Sequence, residues 1–143
     1  MTSVQHAHAR LVPSSPPRPR QLTRAECRAW VADHDEARLG FDTGRGPRSV
    51  VVGYSLRGDE VVLVLPEYHP ATGYVDGAAV PLEVEGPTAG GSWELVRALG
   101  VAYRGTASEA GAVRPYGAAW PSGVAAHTVH IPLARLEGLG RSV

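Results

Sequence analysis

The chain has 143 residues and a mass of 15.1 kDa, enough for one domain with a real core, since 43% of its residues are hydrophobic. Its formal net charge is zero, which gives no electrostatic support to a nucleic-acid or acidic-membrane partner. All 14 basic residues are arginine, so neither a P-loop lysine nor a Schiff-base lysine is available; the single cysteine, Cys27, excludes an internal disulfide and any multi-cysteine metal site.

Residues 1–20 read as a disordered tail, because Ser14-Ser15-Pro16-Pro17-Arg18-Pro19-Arg20 cannot form a helix and has little to bury. His6 and His8 in this tail are read as incidental surface residues, and no apolar run there is long enough for a signal sequence. No stretch approaches the roughly 20 apolar residues of a membrane helix. With one cysteine, a reducing, cytoplasmic setting is expected. Residues 21–143 are then expected to form one folded domain.

Thr23 followed by Glu26 forms a capping box, with Leu22 ahead of it as half of a hydrophobic staple. The helix is predicted from Arg24 to Asp33, with Cys27, Trp30 and Val31 on one face, so Cys27 is a packed thiol and not a nucleophile. Strands are predicted at Ala37–Asp42, Arg48–Leu56, Glu60–Leu65, Ala78–Glu85, Trp93–Arg104 and His127–Leu133, from alternation and from turn signals such as Thr43-Gly44-Arg45-Gly46-Pro47 and Arg57-Gly58-Asp59. The run Trp93–Leu99 has helical propensities, but Gly100-Val101-Ala102-Tyr103 after it favours a strand. Residues 67–77 read as a loop with at most one helical turn, 105–125 as irregular, and 134–141 as a turn. One helix and six strands without strand–helix alternation predict a mainly β protein, a six-stranded barrel with a helical lid.

Within that frame, Gly46-Pro47-Arg48-Ser49-Val50-Val51-Val52-Gly53-Tyr54 leading to Gly58-Asp59 resembles the signature hairpin of the pyridoxamine 5′-phosphate oxidase-like proteins. Leu39-Gly40-Phe41-Asp42-Thr43, the capped helix at Leu22–Cys27 and the closing segment Trp120–Gly123 with Thr128–Gly138 are similar to that family in the same order. The resemblance implies an FMN-binding split β-barrel of Greek-key type, working as a homodimer with its pocket between subunits. It implies that Arg48, Ser49, Val50 and Val51 line the cofactor, with the flavin ring along the strand backbone. The end of the third strand would add Pro66, Tyr68 and Thr72, and Trp120 would come from the other subunit. Where the family places phosphate donors, this chain has Glu67 and Pro70. Glu67 and His69 are the acid/base candidates, His69 because imidazole titrates near neutrality.

The implied activity is FMN-dependent hydride transfer to or from a small organic molecule. The alternative is a flavin-free split barrel that binds a ligand or performs non-redox chemistry in a specialised biosynthetic pathway; a deazaflavin-binding relative is a third possibility. Tyr54 is read as packing, Arg97 as an interface residue, and Trp30, Trp93 and Trp120 as core or interface anchors. His127 and His130 are three residues apart on one strand, so they face opposite sides and do not form a metal pair.

Overall fold

The computed structural model describes residues 20–106 and 125–141, as one short helix and ten strands. They are β1 (Arg20–Gln21), α1 (Arg24–Ala32), β2 (Glu36–Thr43), β3 (Gly46–Gly53), β4 (Ser55–Arg57), β5 (Glu60–Pro66), β6 (Ala79–Pro87), β7 (Trp93–Val101), β8 (Tyr103–Arg104), β9 (Ala126–Pro132) and β10 (Arg135–Arg141). Trp120 lies outside the described residues. All paired strands are antiparallel, and they form two sheets of order β1-β10-β7-β6-β2-β3 and β4-β5-β9-β8.

The sheets are joined by chain that passes directly from one to the other. Tyr54 separates β3 from β4, and Ala102 separates β7 from β8; each interrupts what alternation alone reads as a single long strand. Both residues are buried at the corner. The Tyr54 backbone N–H donates to Asp35 O at 2.9 Å, and its hydroxyl donates to Val31 O at 2.7 Å, which satisfies a carbonyl at the end of α1. Burial pushes this phenol well above its usual range, so it stays a donor. Ala102 is tied on both sides, donating to Ala78 O at 2.9 Å and accepting from Gly77 N at 2.8 Å.

The core lies between the inner faces of the two sheets and α1. It is built from Leu39, Leu63, Leu82, Val84, Val96 and Ile131, with Cys27 and Val31 supplied by the helix. The capping box forms as expected: Glu26 N–H donates to Thr23 Oγ1 at 3.2 Å and Thr23 N–H to Glu26 Oε1 at 3.0 Å. Leu22 is buried, and its N–H donates to Gly138 O at 2.9 Å. Trp30 docks the helix on the larger sheet through Nε1–H to Val84 O at 3.0 Å.

Two departures from the sequence-based expectation matter. Residues 135–141 are a full strand, not a turn, and they pair with β7 along their whole length. Arg20, which the sequence places in the tail, belongs to β1 and pairs with Gly140. The glycines that disguise β10 have a packing reason. A Cβ at Gly138 would stand 2.7 Å from Leu22 Cδ1 and 2.8 Å from Cys27 Sγ.

Gly138→Ala is therefore expected to destabilise by about 1–3 kcal/mol, the usual cost of overpacking. In a Cys27→Ala background the added methyl finds part of its space, so the penalty shrinks. Urea midpoints of the four proteins in that cycle check this, and equal penalties in both backgrounds would refute the contact.

Candidate functional site

Strand register decides what β3 offers. Arg48 pairs with Phe41 and Val50 with Leu39, whose side chains are in the core, so Arg48 and Val50 share the inner side. Ser49 and Val51 pair with Gly40 and Arg38 and lie on the outer face. The four residues thus present two surfaces. β3 is the terminal strand of its sheet, and Arg48 at its start is exposed, with no ion-pair partner among the described residues. An edge strand keeps a row of unpaired backbone N–H and C=O groups available to a ligand.

After β5 the chain descends through successive turns, with His69 N–H on Pro66 O (2.9 Å), Thr72 N–H on His69 O (3.0 Å) and Tyr74 N–H on Ala71 O (3.0 Å). This loop leans on the β2–β3 end through Tyr74, which stacks on Phe41 at 5.9 Å between centroids. Tyr68 is 66% exposed and free to cover a ligand. The Thr72 hydroxyl donates its one proton to Pro66 O at 3.1 Å. In that arrangement it can accept a hydrogen bond but has no second proton to donate. His69 accepts the Ala71 N–H on Nδ1 at 3.1 Å, which places its own proton on Nε2.

Glu67 does not stand as a bare carboxylate. It forms an ion pair with Arg104, delivered by β8, and its Oε1 also lies 3.5 Å from His127 Nδ1. His127 sits opposite Leu65 in the β5–β9 pairing, on the inner face and 2% exposed. Its Nδ1 has no hydrogen-bond partner among the described residues. Asp76 accepts the Arg104 backbone N–H at 2.9 Å. Burial lowers the pKa of both His69 and His127; the neighbouring imidazole adds to the effect on His69, and Arg104 to that on His127, against the pull of Glu67 and Asp76. Both imidazoles are therefore neutral near pH 7.

The sequence points to neither Arg104 nor Asp76, and it weighs His127 only against a metal pair with His130. Arg104 reads there as the last residue of a strand and His127 as the first of another. Only the pairing of β5, β9 and β8 brings them to Glu67. His130 does face away from His127: its ring stacks on Tyr103 at 4.7 Å, its Nδ1 lies 3.1 Å from Glu60 Oε2, and its Nε2 lies 3.1 Å from Thr128 Oγ1.

No protein-family model matches the sequence, and no curated protein matches it. Solved structures do. An FAD-binding protein from Mesorhizobium loti superposes with a TM-score of 0.71 at 13% identity, over 87% of this chain and 99% of that one. An FAD-binding protein from Mycobacterium smegmatis gives 0.69 at 14% identity, over 86% and 98%. A Corynebacterium glutamicum protein provisionally assigned as a pyridoxamine 5′-phosphate oxidase gives 0.70 at 11% identity, over 88% and 100%. The chain has the split-barrel fold. In this split barrel the two corners at Tyr54 and Ala102 mark where the barrel divides into its two sheets, and the Glu67 cluster lies at the end of β5.

Proposed function

We propose that this split barrel binds a flavin, FMN, and that it transfers a hydride to or from a small organic molecule in a pocket completed by a second copy of the chain. The observation that carries the proposal is the uncommitted edge of β3. It is a terminal strand with an exposed arginine at its start that has no ion-pair partner among the described residues, in a chain that superposes over nearly the full length of proteins that bind flavin. The flavin would supply the redox chemistry; the chain supplies position and polarity. Val50, Val51 and Ser49 offer backbone and flanking surface for the ring, Arg48 an exposed cation, and Tyr68 an exposed aromatic face. Trp120 is proposed as the partner subunit's contribution. His69, neutral and carrying its proton on Nε2, is the better acid/base group, because Glu67 is held by Arg104.

A second copy is expected on the outer face of the larger sheet. Arg38, Glu83, Arg97 and Glu137 stand in one cross-strand row over β2, β6, β7 and β10, alternating in charge. Val51 (51%) and Leu139 (49%) are large apolar residues exposed on the same face. A twofold axis sets such a row against itself with opposite charges facing.

Absorbance and chromatography of the purified protein test the cofactor. The expected result is a yellow protein that releases FMN on denaturation and sediments as a dimer. Release of FAD, the flavin named for two of the neighbours, would correct the cofactor. A colourless protein that takes up neither flavin would overturn the proposal and favour the flavin-free alternative, for which the Glu67–Arg104–His127 cluster is the ready acid/base group.

A further inference from the structure

Arg104 and Glu67 are both partly exposed, and an exposed ion pair alone contributes little. The residue beneath them makes the arrangement informative. His127 is buried, and its Nδ1 is aimed at the same carboxylate oxygen that Arg104 grips, at a distance too long for a good hydrogen bond. One oxygen of a planar carboxylate is thus asked to serve a guanidinium and an imidazole, and the imidazole Nδ1 finds no hydrogen-bond partner among the described residues. A guanidinium and a buried imidazole converging on one poorly matched oxygen describe a site shaped for an anion with more oxygens than a carboxylate has.

We infer that Arg104 and His127 form a binding site for a phosphate monoester dianion, and that Glu67 occupies this site as an internal stand-in until the anion displaces it. Glu67 can leave: its carboxylate is 41% exposed, and it sits in a surface turn whose position is fixed by the backbone bond from Glu67 N–H to Ala125 O at 2.9 Å. A tetrahedral dianion would give Arg104 a bidentate partner and leave a separate oxygen for His127. Asp76, the other carboxylate in the cluster, is engaged by the Arg104 main-chain N–H. The cation that the third-strand turn lacks in sequence would thus arrive from β8. As the site of a flavin phosphate this rests on the flavin proposal above; as an anion site it stands by itself.

Melting temperature under inorganic phosphate, against chloride at matched ionic strength, tests the site without a flavin. Wild type is expected to be stabilised; Glu67→Gln, which removes the competing charge and keeps Arg104, should respond at about tenfold lower phosphate, and Arg104→Gln should not respond. Equal responses in all three, or none in wild type and Glu67→Gln, overturn the inference. Should Arg104→Gln fail to fold, the gain in Glu67→Gln still decides. Titration with FMN and with riboflavin then names the source of the phosphate. Wild type should prefer FMN and Arg104→Gln should lose that preference while keeping riboflavin affinity. Preference lost in Arg48→Gln but kept in Arg104→Gln would put the flavin phosphate elsewhere and overturn that assignment. If neither flavin binds while the phosphate responses hold, the flavin proposal fails and the anion site stands.

Discussion

Gly100→Ala is expected to be among the most damaging single-methyl changes in the molecule, costing about 3 kcal/mol or more. A Cβ at this position would stand 2.0 Å from the carbonyl oxygen of Pro132 and 3.1 Å from its carbon. Both are backbone atoms of β9, which belongs to the other sheet, so no side-chain rotation relieves the overlap. Gly100 itself is buried in β7, opposite Val80 of β6, two residues before the Ala102 corner. The sheets can approach this closely only where one strand has no side chain. Alanine would force β7 and β9 apart at the seam and strain the bonds of Ala102 to Ala78 and Gly77. Chemical denaturation of the variant checks this; a loss below 1 kcal/mol would show that the seam is looser than the packing states.

What the sequence discloses and what it withholds divide along the same seam. The helix was legible because its signals are local: Thr23 and Glu26 cap it, and Cys27 and Val31 mark its buried face. The hairpins at Thr43–Gly46 and Arg57–Glu60 were legible because turn chemistry is local too. The corners were not, since alternation continues through Tyr54 and Ala102 while the strand changes its partners. β10 was missed because Gly138 and Gly140 imitate a turn, although a close approach is what demands glycine at 138. Trp93–Leu99 has helix-forming residues and is nonetheless a strand, because β6 and β10 both pair with it.

The candidate site shows the same limit. Arg48, Ser49, Val50 and Val51 were found as a contiguous string, but register splits them between two faces. Glu67 was read as an unneutralised charge where an anion should bind. Its neutralising partner, Arg104, is 37 residues further along the chain and no local pattern connects them. A long-range pairing therefore reverses the meaning of one residue.

Stability is expected to fall as the pH drops below about 6.5, before the carboxylates of ordinary affinity titrate. The cause is the pair His127 and His69, whose imidazoles burial holds below the usual 6.5. In the unfolded chain both take up a proton near pH 6.5; in the folded chain they resist it. The unfolded state then binds more protons, so their contribution is complete above pH 6.5 and is lost as the pH falls through the folded values. Glu67 and Asp76 moderate the loss by welcoming a proton on His127, while Arg104 sharpens it there and His127 sharpens it on His69. Denaturant midpoints measured across this range should slope downward in wild type and flatten in a His69→Gln/His127→Gln double variant. An unchanged slope would mean that neither imidazole is kept neutral by the fold. The pH window also bears on the anion site: an imidazolium at His127 would strengthen the grip on a dianion while weakening the barrel around it.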